Sequence, residues 1–308
     1  IWIDLFRRFT YLGNRGLVTS LISGIDIALW DLKGKALGRP IHDLLGGSVR
    51  ESVALYTHAD AVSWDLVIEN VLMMIERGYS AFKFDPFTEM HRHHTAYLGG
   101  EISRAGVRVG AESIEAMRRA VGSAIELLID FHGSYNLASG LRCIRALEPY
   151  DITWFEEPFP PENVSALRQL RAQTGAPLCV GERLHTRWDF VELLHEGLVN
   201  YVMPDVCWTG GITELKKIAT LAEAHAVPIA PHGAHGPIQA VAGAHVMVGV
   251  PNFYRLELLG SAWLRLYDAC IAPPLDIRRG ELFLSDRPGL GVEFDMEYVR
   301  ANSRADWV

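Results

Sequence analysis

The chain has 308 residues, 49% of them apolar and 21% charged; this suits one closed α/β barrel with an appendage and excludes disordered, collagen-like and low-complexity classes. Lys and Arg number 29 against 37 Asp and Glu, a formal charge of −8 with no basic block, which argues against nucleic acid or an anionic membrane surface as a partner. The low-charge stretch 237–251 is rich in Gly and Ala and contains His245, too short to span a bilayer, so no transmembrane helix is expected.

In chain order, 18–37 carries a helical pattern stopped by Gly38 and Pro40 and followed by Gly46-Gly47, so residues 1–50 read as a separate helical element. From Ser52 onward, short β-branched or apolar runs alternate with helical segments, the pattern of βαβ units and a parallel sheet. Strands are expected at 53–57, 81–84, 127–130, 153–156, 178–182, 201–203, 228–230 and 254–257, enough for a barrel. Helices such as 163–174 and 213–225 lie between them, and 88–110 reads as a loop. After Ser261 the pattern breaks: Pro273-Pro274 and ELFLSDRPGLGVEF read as strands and turns that leave the barrel and return toward the N-terminal element. Cys143, Cys179, Cys207 and Cys270 lie far apart and read as buried thiols in a reducing compartment. No basic n-region with an apolar h-region follows Ile1, so the expected location is cytoplasmic.

The chemistry lies in the acids. Asp130, Glu156 and Glu182 stand 26 residues apart, and Asp205, His232 and Glu257 follow at 23, 27 and 25. Each falls at the C-terminal end of an expected strand, or just beyond it, and in a parallel barrel these ends converge on one rim, where such enzymes place their active sites. Taken singly, each acid reads as a helix cap or a partner of Arg or Lys. Three at matched spacing offer the hard oxygen ligands that Mg²⁺ prefers, and without a cation their clustering raises their pKa values and costs stability.

His132 lies two residues beyond Asp130, which on an extended strand places both on one face, within reach of a substrate beside the metal. His232, in APHGAHG, is a candidate general base if Asp205 accepts a hydrogen bond from its ring. Lys83, in AFKFDPF with Asp85 on its own face, is either a catalytic group opposite His232 or a salt-bridge partner of the surrounding acids. His225 and His245 read as satisfied core histidines, and His91, His93 and His94 as a solvated loop. No GxGxxG, GxxxxGK[ST] or GxSxG pattern is present, so neither a nucleotide loop nor a serine elbow is supported.

The segments IDIALWDLKGKALGRPIHDLLGG, FKFDPF, LLIDFHG, WFEEP, GERLHTRWDF, PDVCWTGGITELKKIA and APHGAHGP resemble the mandelate racemase and muconate lactonizing branch of the enolase superfamily, particularly its acid-sugar dehydratases of the galactonate or gluconate type. The resemblance covers nearly the whole chain. It implies a modified TIM barrel, (β/α)7β, at 51–260, a partial, truncated N-terminal α+β capping domain at 1–50 and a C-terminal segment, 261–308, returning to it. It further implies that Asp130, Glu156 and Glu182 bind Mg²⁺, that Asp205 and His232 form the base dyad, that His132 is the general acid for the departing β-hydroxyl, and that Glu257 hydrogen-bonds the substrate carboxylate or its enediolate. Glu157 then falls outside the metal shell. Ser134 follows DFHG where many relatives carry Arg, and Gly233 follows APH where Asn is usual.

The implied reaction is that of a lyase: Mg²⁺-dependent loss of water from an aldonate or aldarate to give a 2-keto-3-deoxy sugar acid. Two alternatives share the scaffold, a racemase or epimerase using Lys83 and His232 as opposed acid and base, and a truncated, non-catalytic sugar-acid-binding barrel. A dehydratase needs an acid beside the leaving hydroxyl and a racemase does not, so His132 separates the first two. Relatives assemble as dimers and octamers, which implies a homo-oligomer.

Overall fold

The computed structural model describes residues 1–59, 61, 63–87, 95–96 and 100–303, with backbone alone at 95, 96, 261 and 262. It is the expected modified TIM barrel. Parallel staves Ser52–His58, Ala81–Phe84, Glu126–Asp130, Ile152–Glu156, Leu178–Val180 and Tyr201–Val202 each pair with the next, and Leu256–Leu258 closes the ring on the first. The seventh stave, expected at 228–230, is no continuous strand: Ile229 makes single parallel bridges to Val202 and Phe253. Pro228 and Pro231 flank it, and a residue without an N–H cannot extend a ladder. Four backbone hydrogen bonds of 2.9–3.1 Å, from Val202, Ile229, Ala230 and Tyr254, still hold the segment in the ring.

Alternation along each strand divides the apolar residues into two sets. Tyr56, Ala81, Leu128, Trp154, Cys179, Met203 and Ala230 point inward and fill the barrel. Their neighbours, among them Leu55, Phe82, Leu127, Phe155 and Val202, point outward against the helices.

Helix Leu17–Leu37 ends at Gly38, whose φ of 63° supplies the left-handed cap. This N-terminal element does not stand apart. Asp26 accepts hydrogen bonds from Thr213 N and Oγ1 (2.9 and 2.6 Å), Trp30 donates to Thr213, and Gly210 N donates to Ser23. The element therefore lies on the barrel helix Gly211–Ala224. The C-terminal segment makes hydrogen bonds to this element, with Leu290 N donating to Asp31 Oδ1 (2.8 Å) and Ile41 N to Gly289 O (3.0 Å).

One expectation fails: helix Arg104–Val121 begins inside the expected loop 88–110, with Ser103 capping Gly106 N. Ser261–Cys270, for which no element was expected, is a helix, and the strands expected beyond Pro274 are present as Asp276–Arg278, Glu281–Phe283 and Glu293–Phe294. His245 is buried as expected, with its Nε2 3.0 Å from Leu290 O, whereas His225 is exposed at the end of Gly211–Ala224. His91, His93 and His94 lie outside the described residues. Cys143 and Cys179 are buried, Cys207 and Cys270 half-buried, and all four are free thiols. No described helix is long and apolar enough to cross a membrane.

Candidate active site

Directly above the apolar interior layer, two residues further along each stave, the inward positions turn polar. His58, Lys83, Asp130, Glu156, Asp205 and His232 follow Tyr56, Ala81, Leu128, Trp154, Met203 and Ala230 in register. At the corresponding place after Cys179 stands Gly181, whose φ of 143° ends the strand, and the carboxylate comes from Glu182 one residue on. Glu257 joins from the closing stave. All eight expected site residues thus meet at one rim, or, for His132, at the turn just above it.

Lys83 is sunk in the middle of them, with its Nζ 2.7 Å from Glu257 Oε1, 2.9 Å from Glu156 Oε1 and 3.1 Å from Asp130 Oδ2. Burial opposes its charge, but Glu156, Glu257 and Asp130 outweigh that and hold its pKa well above the ordinary lysine value. The ammonium is therefore a fixed internal cation. Of the two readings of Lys83, the geometry matches the salt bridge.

The carboxylates divide accordingly. Asp130 is disfavoured by burial but held low by Lys83 and His132, and Glu257, also buried, is held low by Lys83, His232 and His58. Glu156 moves the other way: burial and Asp130 push it well above the usual range despite Lys83. Its second oxygen accepts from Trp154 Nε1 at 3.2 Å. Glu157 points away from the trio and pairs with Arg183, whose Nε donates to it at 2.7 Å. Burial and Glu182 still lift Glu157 to about 7.

His132 and Asp130 meet, though not because they share an extended strand. The strand ends at Asp130, and His132 adopts a left-handed φ of 49° in which its backbone N–H donates to Asp130 Oδ1 at 2.8 Å. Its ring then places Nε2 3.4 Å from Asp130 Oδ2 and Nδ1 2.8 Å from Asp85 Oδ2. Burial lowers the imidazole pKa, but Asp130 and Asp85 outweigh it and push it up to about 10.

Across the trio, His232 donates from Nδ1 to Asp205 Oδ2 at 2.6 Å, leaving Nε2 3.5 Å from Glu182 Oε2 and 3.8 Å from Glu257 Oε2. Asp205 Oδ2 also accepts from Gln239 Nε2 (2.6 Å), its Oδ1 accepts from Cys207 N (2.6 Å), and the Trp208 ring stacks on His232 at 5.3 Å. Burial lowers His232, but Glu257, Asp205 and Glu182 together raise it to about 9.

Sequence reasoning missed His58, Gln239 and Trp208. His58 donates from Nε2 to Glu257 Oε1 at 2.5 Å. It stands 25 residues before Lys83, so the spacing that found the acids also reaches it. Gln239 lies on helix Pro237–Met247 and Trp208 on a loop, where no strand periodicity points to them.

The donor set fits a hard divalent cation. One oxygen from each of Asp130, Glu156 and Glu182 lies within 4.8 Å of the other two, and all three residues are buried. Asp130 Oδ2 lies beside Lys83 yet accepts no hydrogen bond, and the difficulty of ionising Glu156 is what a cation removes. Asp205, His232 and His235 satisfy the same distance test, but Asp205 Oδ2 is already taken by His232 and Gln239.

Comparison with known proteins agrees with the barrel architecture. Residues 67–299 match the enolase C-terminal domain-like family, and residues 3–46 match the mandelate racemase / muconate lactonizing enzyme N-terminal domain. The chain is 35% identical over 315 residues to D-galactonate dehydratase of Pectobacterium atrosepticum, covering 100% of this chain and 80% of that one. It is 33% identical over 306 residues to D-gluconate dehydratase of Thermoproteus tenax, where 98% of this chain spans 60% of the relative's length. Among solved structures, a mandelate racemase/muconate lactonizing enzyme-like protein from Rubrobacter xylanophilus superposes with a TM-score of 0.92 at 36% identity, covering 99% of this chain and 82% of that one. An enolase-superfamily member from Salmonella Typhimurium gives 0.90 at 29% identity, covering 97% and 81%. The chain belongs to the mandelate racemase and muconate lactonizing enzyme family of the enolase superfamily.

Proposed function

We propose that this chain is a Mg²⁺-dependent acid-sugar dehydratase, a lyase that removes water from an aldonate or aldarate and yields a 2-keto-3-deoxy sugar acid. The observation that carries the reading is the pair of imidazoles flanking the carboxylate trio, each presenting Nε2 to it: His132 beside Asp130 and His232 beside Glu182. Elimination needs a base and an acid at neighbouring carbons, and two such groups are in place.

Asp130, Glu156 and Glu182 are the residues that would hold Mg²⁺, and when bound the ion supplies positive charge to the carboxylate end of the substrate, where negative charge develops. The cation that Glu182 would help hold offsets part of the negative charge that raises His232, so the ring would be neutral when substrate binds; its Nε2 takes the C2 proton while Asp205 retains the Nδ1–H, which fixes the tautomer that leaves Nε2 free to accept. The electron pair moves onto the carboxylate to form an enediolate. His132 donates from Nε2 as the C3–O bond breaks, the hydroxyl leaves as water, and the resulting enol tautomerises to the ketone. Glu257 holds the donors Lys83 and His58 on one oxygen and Gly233 N on the other at 3.0 Å; its part is to keep those donors at the carboxylate end of the site.

The racemase alternative needs Lys83 to lose its proton, and a lysine enclosed by three carboxylates keeps it. The non-catalytic alternative is disfavoured by the intact trio and dyad. The partner is thus a small-molecule sugar acid, acting in the cytoplasm in keeping with four free thiols. Assembly as a homo-oligomer, a dimer or an octamer by analogy, is read by light scattering.

A panel of aldonates and aldarates with Mg²⁺ tests the reading. Keto acid is expected with at least one of them, and Glu182→Gln abolishes it. In D₂O, His232→Asn stops deuterium exchange at C2, whereas His132→Ala keeps exchange with little elimination. Product formed with the metal chelated away, or loss of both activities in His132→Ala, overturns the assignment.

A further inference from the structure

We infer that Asp85 is the positioning residue of His132, so that the acid side of the site is a second carboxylate–imidazole dyad matching Asp205–His232 on the base side. The inference rests on the dehydratase reading above.

Asp85 follows the stave Ala81–Phe84, and its side chain is 2% exposed. Its Oδ1 accepts from Phe87 N at 3.1 Å, which fixes the plane of the carboxylate, and its Oδ2 meets His132 Nδ1 at 2.8 Å. The backbone of His132 is anchored independently, by its own N–H on Asp130 Oδ1 and by Gly133 N on Glu157 O, both at 2.8 Å. Those bonds settle where the Cα lies but not where the ring points. The His132 side chain is 43% exposed, so rotamers that turn it toward solvent are open to it. A buried, pre-oriented acceptor at Nδ1 selects the one that turns Nε2 toward the trio.

The two dyads are built alike. In each, an aspartate that emerges at or just beyond the end of a stave takes Nδ1 and leaves Nε2 near a carboxylate of the trio, 3.4 Å on the acid side and 3.5 Å on the base side. During elimination the Nε2–H bond of His132 breaks as the proton passes to the leaving oxygen and the C3–O bond opens. The ring is left as the Nδ1–H tautomer, whose remaining proton Asp85 accepts. Asp85 touches neither substrate nor reacting atoms and acts only through the ring.

Asp85→Asn tests this, because the amide oxygen can keep the bond to Phe87 N while its N–H opposes an Nδ1–H. C2 exchange in D₂O is expected to stay within about twofold of wild type while keto-acid formation falls on the order of 10²-fold, the usual contribution of one positioned acid. In a His132→Asn background the same change is expected to cost nothing further. Equal loss of exchange and elimination, or the same loss in both backgrounds, overturns the inference in favour of a purely structural role. Asp85→Glu, which restores a carboxylate, is expected to recover part of the elimination, and no recovery also counts against it. Ring ¹⁵N NMR of His132 provides a readout without turnover: wild type carries a proton on Nδ1, and Asp85→Asn lowers its occupancy. A wild type inactive on every sugar acid sinks the dehydratase reading alone, whereas an Nδ1 that is unprotonated, or indifferent to Asp85→Asn, sinks the dyad.

Discussion

Replacing Gly133 with alanine probes a contact that links two motifs far apart in the chain. Gly133 sits at φ +61°, and a Cβ there would lie 1.7 Å from Arg183 Nη2 and 2.7 Å from its Cζ. The guanidinium must move, and moving takes it off the fully buried Glu157, to which Nε donates at 2.7 Å. The left-handed backbone costs alanine about 1–2 kcal/mol. Leaving a buried carboxylate without its partner costs about 3–5 kcal/mol when the separation is complete. Arg183 is 36% exposed, so water screens part of the second loss, and the expected total is about 3–5 kcal/mol. Urea unfolding of Gly133→Ala, Arg183→Ala and the double variant separates the two contributions. With Arg183 already removed, the alanine should cost only its backbone strain, about 1–2 kcal/mol. Equal costs in both backgrounds would show that the glycine answers to its turn alone and that the clash with Arg183 is immaterial.

Two further predictions concern buried charge. Lys83→Met leaves Asp130, Glu156 and Glu257 without their internal cation and is expected to destabilise the protein by on the order of 3–5 kcal/mol. Excess Mg²⁺ should raise the melting temperature of the variant more than that of wild type, and equal increments in calorimetry would refute the shared-carboxylate argument. His245 is buried beside His42, with its Nδ1 near His42 N (3.3 Å) and its Nε2 facing Leu290 O. Burial lowers its pKa from 6.5 to about 4. The unfolded chain therefore takes up the proton first, and stability present above pH 6.5 is lost as pH falls toward 4, by up to about 3 kcal/mol. His245→Gln should flatten the dependence of the urea midpoint on pH between 4 and 6.5; an unchanged slope would assign the acid sensitivity elsewhere.

The barrel and most of its rim were legible because strand geometry is rigid. One residue in two points inward, so Asp130 and Glu156, 26 residues apart on successive βα units, arrive at one height, whereas Glu182 reaches it one residue past the inward position that Gly181 holds. The method fails where that regularity does. His58 escaped because the first strand was read as ending at Thr57, one residue short of the inward position. His132 was placed correctly for the wrong reason, since the extended geometry invoked for it ends at Asp130 and a left-handed turn does the work. Pro228 and Pro231 interrupted the seventh stave, and Pro273-Pro274 drew attention from the helix just before them. The docking of residues 1–50 on helix Gly211–Ala224 depends on Asp26 meeting Thr213, a pairing across the whole chain that no local pattern encodes.

The lysine at the floor of the rim bears on the order of events in the cell. Many small metalloproteins stay unfolded until their ion arrives, because nothing else offsets their ligands. Here the polypeptide brings its own counterion, covalently tethered, to the same three-way junction. Chain collapse can therefore precede metal uptake, and the cation proposed for this site would be an exchangeable visitor to a scaffold that keeps its shape.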